Sequence, residues 1–126
     1  MKVWNKLLDF KERTDMVELI KNYVQDYSDI FSKVILFGST ARGNFSTNSD
    51  IDIYIESSFY TTTTLLRLNR FREFTIGLYS LFDNNFEFDL LSFGRNELNS
   101  SHNSILYKCI CEDGVILYDD KGTETV

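Results

Sequence analysis

Two short apolar runs, each abutting residues able to do chemistry, constrain this chain most. Val34, Ile35, Leu36 and Phe37 form a wholly apolar stretch that stops at Gly38, the pattern of a short buried strand. Further on, Ile51, Ile53 and Ile55 alternate with Asp52, Tyr54 and Glu56, the period of a half-buried strand. Helical stripes surround them. Met16, Val17, Ile20, Tyr23, Val24 and Tyr27 predict a helix over 15–27, with Asp15 as a candidate cap. Leu65, Leu68, Phe71, Phe74, Leu78 and Leu81 predict one long helix over about 62–83, and the threonines before it offer caps. Phe86, Phe88 and Leu90 alternate with Glu87 and Asp89 as a third strand would. A last helix is predicted over about 101–112, with Ile105, Leu106, Cys109 and Ile110 inward and Gly114 ending it in a left-handed conformation. Residues 115–118 then supply a short edge strand. The order is α-β-(short α)-β-α-β-α-β, an α/β (α+β) arrangement with one small mixed sheet covered by helices.

The 126 residues leave room for one domain over 1–126. With 43% hydrophobic residues, including 11 Phe and 7 Tyr, the composition is globular and not disordered. No apolar run is long enough for a membrane helix, and the opening residues lack the pattern of a signal peptide. A cytoplasmic location without a membrane partner is the expectation. Cys109 and Cys111 are too few for a disulfide framework and are expected to be reduced core fillers. The net charge of −6 argues against a nonspecific grip on nucleic acid. It leaves room for a nucleotide held through metal ions, which reverse the local charge.

The chemistry concentrates around the first two strands. Gly38 lets the backbone approach a ligand closely, Ser39 brings a hydroxyl, and a short helix after it would offer free N–H groups to phosphate. On a strand, positions 50 and 52 share a face, so the carboxylates of Asp50 and Asp52 converge. Two ionised carboxylates at close range call for a hard cation, and Mg2+ takes carboxylate and phosphate oxygens together. A third carboxylate from the next strand would complete a two-metal site. Asp89, flanked by Phe88, Leu90 and Leu91, is preferred to Glu87 for that place. Other residues read more plainly. The Thr61 to Thr64 run caps a helix, Arg67 and Arg70 form a solvated face, and His102 has no partner visible in the sequence.

Gly38-Ser39, ten residues, then Asp50-Ile51-Asp52 resembles the G-S-x10-D-x-D signature of the polymerase-beta-like nucleotidyltransferase superfamily. The fuller string from Leu36 to Gly43 looks like its minimal (MNT) branch, which includes the antitoxins of HEPN/MNT toxin–antitoxin modules. The resemblance implies a nucleotidyltransferase fold and two Mg2+ ions held by Asp50, Asp52 and Asp89. It further implies Gly38 and Ser39 on the β and γ phosphates of ATP, with Asp89 assisting deprotonation of the acceptor hydroxyl. Arg42 would either support the phosphates or tie down the loop. The implied partner is a HEPN-domain toxin that receives AMP on a tyrosine. Inhibition by binding alone, and transfer to a small molecule or an RNA end, stay open as alternatives.

Overall fold

The computed structural model describes residues 10–42 and 50–121. Along the chain lie α1 (Phe10–Gln25), β1 (Phe31–Phe37), α2 (Gly38–Arg42), β2 (Ile51–Ser57), α3 (Thr62–Arg67), α4 (Asn69–Ser80), β3 (Phe88–Phe93), α5 (Leu98–His102), α6 (Ile105–Asp113) and β4 (Val115–Asp119). Gly43, residues 44–49 and the amino-terminal residues 1–6 lie outside the described residues.

The two apolar runs become the centre of a four-stranded sheet ordered β3-β2-β1-β4. β1 runs antiparallel to both β2 and β4, whereas β2 and β3 are parallel, with α3 and α4 carrying the chain back between them. The sheet is mixed, as expected. One face packs Ile51, Ile53 and Ile55 of β2 and Val34 and Leu36 of β1 against Met16, Ile20 and Val24 of α1 and Phe71, Phe74 and Leu78 of α4. Phe74 is the hub, with its ring 4.8 Å from Phe31, 5.0 Å from Tyr27 and 5.5 Å from Tyr23. Edge-on and offset contacts at these distances add to the area that the rings bury.

The second face departs from expectation. The alternation predicts a half-buried β2, yet Tyr54 is fully buried and Glu56 is 5% exposed. The smaller cluster of Ile35, Tyr54 and Ile110, flanked by Phe37, Leu91, Phe93 and Tyr107, covers that side. Alternation reports which residues are polar, and it cannot report that a later helix will fold over them.

Several boundaries also move. α1 starts at Phe10, so Asp15 lies within the helix and does not cap it. β1 begins at Phe31, and β3 covers Phe88–Phe93, with Phe86 buried just before it. The single long helix over 62–83 is instead two, broken where Leu68 takes extended backbone (φ −74°, ψ 134°). The apolar spacing explains the break. Leu65 and Phe74 are nine positions apart, about 180° around one straight helix, yet both are fully buried. A bend at Leu68 lets both face the sheet. Thr61 caps α3 as expected, its hydroxyl accepting the Thr64 N–H at 3.1 Å.

The last helix is split likewise into α5 and α6, with Ser104 capping the second through the Tyr107 N–H at 3.0 Å. Of its expected inward residues only Ile110 is buried; Ile105 is 79% and Leu106 51% exposed. Both cysteines are free and exposed, which corrects their assignment to the core. They flank Ile110 at about 100° on either side, off the line that meets the sheet. Gly114 does follow α6, but with φ −73° and ψ 153° it is extended, not left-handed. Crowding is why glycine suits it, because an added Cβ would lie 2.3 Å from the Ile110 carbonyl oxygen and 2.5 Å from Ile35 Cγ2.

Candidate active site

Three chain segments meet at one end of the sheet: the end of β1, the start of β2 and the start of β3. Phe37, last in β1, is paired with Asp52. The chain then turns at Gly38, whose φ of 77° lies in the left-handed region, and enters α2. A Cβ at Gly38 would stand 2.3 Å from Asp52 Oδ2. Glycine is therefore demanded twice here, by the backbone conformation and by the carboxylate against it. The bend and the acid form one unit.

Asp52 is cross-strand partner to Asp89, and Asp50 immediately precedes β2. Adjacent strands are about 4.8 Å apart, and two residues along a strand rise about 6.6 Å. The three carboxylates thus spring from neighbouring backbone positions on one end of the sheet. Asp52 is half-buried, whereas Asp50 and Asp89 are exposed. Partial burial raises the pKa of Asp52 above its ordinary value; the negative charges of Asp89 and Asp50 push it the same way, and Arg42 opposes them. Arg42 closes α2 and is exposed.

These features suit a divalent cation. The donor set is all carboxylate, as Mg2+ prefers, and each acid raises the cost of ionising Asp52 until a cation offsets it. Gly38, bare of a side chain, leaves the space that the Asp52 carboxylate fills. Among the described residues, no three acid, imidazole or thiol groups already stand as a finished ligand cage. Side-chain rotation on these fixed backbone positions is what a cation would require. Glu87 is exposed and precedes β3, and its carbonyl accepts the Ile51 N–H at 2.9 Å. Asp89, not Glu87, is in register with Asp52.

Behind the bend, Ser39 is half-buried and Thr40 buried, with Thr40 Oγ1 lacking a hydrogen-bond partner among the described residues. Arg13 of α1 reaches the Thr40 carbonyl at 3.4 Å, tying α2 to the helical layer.

Two sequence readings change away from this site. His102 has a partner after all: its Nε2 lies 2.5 Å from Glu56 Oε2, and its ring stacks on Tyr107 at 4.1 Å. The Tyr54 hydroxyl donates to the same carboxylate oxygen at 2.8 Å and lies 3.1 Å from Ser101 Oγ. Burial raises the Tyr54 pKa far above its ordinary value, so the phenol keeps its proton and serves as a donor. This cluster borders a cleft of about 540 Å³ at the far end of the sheet, where Lys33 also pairs with Asp119 at 3.7 Å. The contacts of Glu56 with His102 and of Tyr54 with Ser101 fasten α5 to β2. No spacing in the sequence could join position 56 to position 102. Arg70 is similarly engaged, and not simply solvated: its Nε donates to Asp29 at 3.1 Å and its guanidinium lies 4.1 Å from the Tyr27 ring centroid. Arg67 is exposed, as expected.

Residues 18–122 match the Polymerase beta, Nucleotidyltransferase family. The chain belongs to that family. It is 42% identical over 45 residues to a Methanocaldococcus jannaschii protein named as a putative protein adenylyltransferase. That match covers 32% of this chain and about half the length of the relative (46%). Solved structures share the fold. A chain of a mutant MntA–HpeT toxin–antitoxin complex aligns with TM-score 0.56 and 20% identity, over 83% of this chain and 77% of that one. A toxin–antitoxin complex with AMP-PNP gives TM-score 0.55 and 24% identity, over 82% and 73%. The complex of a tri-AMPylated Shewanella oneidensis HEPN toxin with an MNT antitoxin gives 0.52 and 18%, over 90% and 77%. Among the described residues, no helix is long and apolar enough to cross a membrane.

Proposed function

We propose that this chain transfers AMP from ATP to a hydroxyl of a protein acceptor, a tyrosine of a HEPN-domain toxin, and so acts in the cytoplasm as that toxin's antitoxin. The observation that carries the chemistry is the meeting of the Gly38 bend with Asp52, itself in register with Asp89. The acceptor is suggested by the adenylyltransferase relative and by the HEPN complexes whose fold this chain shares.

Asp50, Asp52 and Asp89 would hold two Mg2+ ions, which when bound neutralise the triphosphate and acidify the acceptor hydroxyl. The Ser39 hydroxyl and the amides of the bend donate to the β and γ phosphates. Arg42 places a positive charge on the same side, which also favours ionised Asp52. Asp89 receives the proton of the acceptor hydroxyl as its oxygen bonds to the α phosphorus. The bond from that phosphorus to the bridging oxygen breaks, and pyrophosphate leaves with the electron pair. Positioning and charge stabilisation account for the rate.

The test is incubation with Mg2+ and a purified HEPN-domain protein from the same genome, using ATP labelled in the α or the γ phosphate. Label is expected on the HEPN protein from α-labelled ATP alone, and lost when its acceptor tyrosine becomes phenylalanine. Transfer from γ-labelled ATP would indicate a kinase. Label on RNA or a small molecule, with none on the HEPN protein, would move the acceptor to another class.

A further inference from the structure

Asp89 stands on the sheet's edge. Among the described residues, β3 is terminal in the order β3-β2-β1-β4 and has a strand neighbour on one side alone. Edge strands leave alternate amides and carbonyls without a ladder partner, and their register is held less firmly. At the start of β3 the Glu87 carbonyl turns toward β2 to accept the Ile51 N–H. Phe88, the next residue and the neighbour of Asp89, turns its backbone the other way. Tyr79 of α4 meets it there.

The Phe88 N–H donates to the Tyr79 hydroxyl oxygen at 3.3 Å, and that hydroxyl lies 3.5 Å from the Phe88 carbonyl oxygen as a donor. One phenol serves both backbone groups, as a neighbouring strand would. Its ring also packs edge-on against Phe88, with centroids 5.1 Å apart at 72°. The other end of the link is held by the same residue. The Asn84 N–H donates to the Tyr79 carbonyl at 3.0 Å, where Asp83 and Asn84 adopt left-handed φ of 54° and 61°. Tyr79 thus fastens the chain where it leaves α4 and again one residue before Asp89.

We infer that Tyr79 is a positioning residue for Asp89: its hydroxyl replaces the missing strand neighbour and fixes the carboxylate opposite Asp52. This rests on the reading of Asp89 as the third metal-binding acid. Ring packing alone would be served equally by phenylalanine; the hydroxyl, placed on the backbone pair beside Asp89, is what packing does not explain.

Tyr79→Phe keeps the ring and deletes the oxygen, so the fold is retained. Two readouts are taken beside Asp89→Asn: hydrogen exchange of the Phe88 amide, and the Mg2+ concentration giving half-maximal nucleotidyl transfer. In Tyr79→Phe, exchange at Phe88 is expected to quicken about five- to tenfold, the equivalent of one net hydrogen bond. The Mg2+ midpoint is expected to rise by a similar factor, with the rate at saturating Mg2+ within about twofold of the wild type. Asp89→Asn is expected to abolish transfer. Unchanged exchange, or faster exchange with an unchanged Mg2+ midpoint, overturns the positioning role while leaving the site intact. Full transfer by Asp89→Asn instead shows that the third acid itself is misassigned, and the role of Tyr79 falls with it.

Discussion

Changing Asp50 and Asp52 together to asparagine is expected to cut nucleotidyl transfer by at least about 10³-fold, while Asp52→Asn alone raises thermal stability at neutral pH. The loss follows from removing the anionic oxygens that a hard cation needs, worth several kcal/mol at the transition state. The gain in stability follows from the electrostatics. Partial burial, then Asp89, then Asp50 raise the Asp52 pKa in the fold above its ordinary value of 3.8. A group whose folded pKa is raised contributes stability that is fully present below 3.8 and lost as pH climbs through the folded value. At neutral pH the native protein therefore carries a repulsion that the amide lacks. Melting curves with and without Asp52→Asn should differ at neutral pH, the variant melting higher, and converge as pH falls below 3.8. Adding Mg2+ and nucleotide should reverse the order, because ligand stabilises only the form that binds it. A variant that melts lower at neutral pH would show that Asp52 makes a favourable contact in the fold instead.

Gly38→Ala should be nearly as damaging to activity, and through geometry instead of charge. Alanine at a φ of 77° costs about 1–2 kcal/mol, and its Cβ would press on Asp52 Oδ2. The carboxylate must swing away, and a displacement of about 1 Å in a transfer site costs about 10²-fold in rate. Gly114→Ala is the matched control. It crowds Ile110 and Ile35 but touches none of the three acids. Chemical denaturation is expected to show both variants destabilised. Transfer per folded molecule is expected to fall in Gly38→Ala and to hold in Gly114→Ala. Equal rates for both would mean that the contact between Gly38 and Asp52 has no part in transfer.

The parts of this molecule legible in the sequence are those fixed by local periodicity and by spacing. The apolar run before Gly38 and the isoleucine alternation gave the two central strands, and the stripe from Met16 to Val24 gave α1. The aspartate pair and the Gly-Ser bend come together as their spacing predicts, since both belong to segments adjacent in the sheet. What periodicity misjudged depended on packing between distant segments. Leu65 and Phe74 share a target through a bend at Leu68 that a helical stripe does not report. Glu56 is buried by α5, through His102, forty-six residues away along the chain. The cysteines of α6 point outward because the helix meets the sheet along Tyr107 and Ile110. Nothing local marks Tyr79 in the sequence; its hydroxyl gains meaning through its contact with β3, the terminal strand of the described sheet.

Paramagnetic broadening by Mn2+ tests the central claim most directly. With isotope-labelled protein, a nonhydrolysable ATP analogue and a trace of Mn2+, the amides of Gly38, Ile51, Asp52 and Asp89 should broaden first. Those of Glu56 and His102, at the opposite end of the sheet, should stay sharp, and Asp52→Asn should abolish the effect. Broadening centred on any other part of the molecule, or surviving unchanged in Asp52→Asn, would contradict a transfer site built on these three acids.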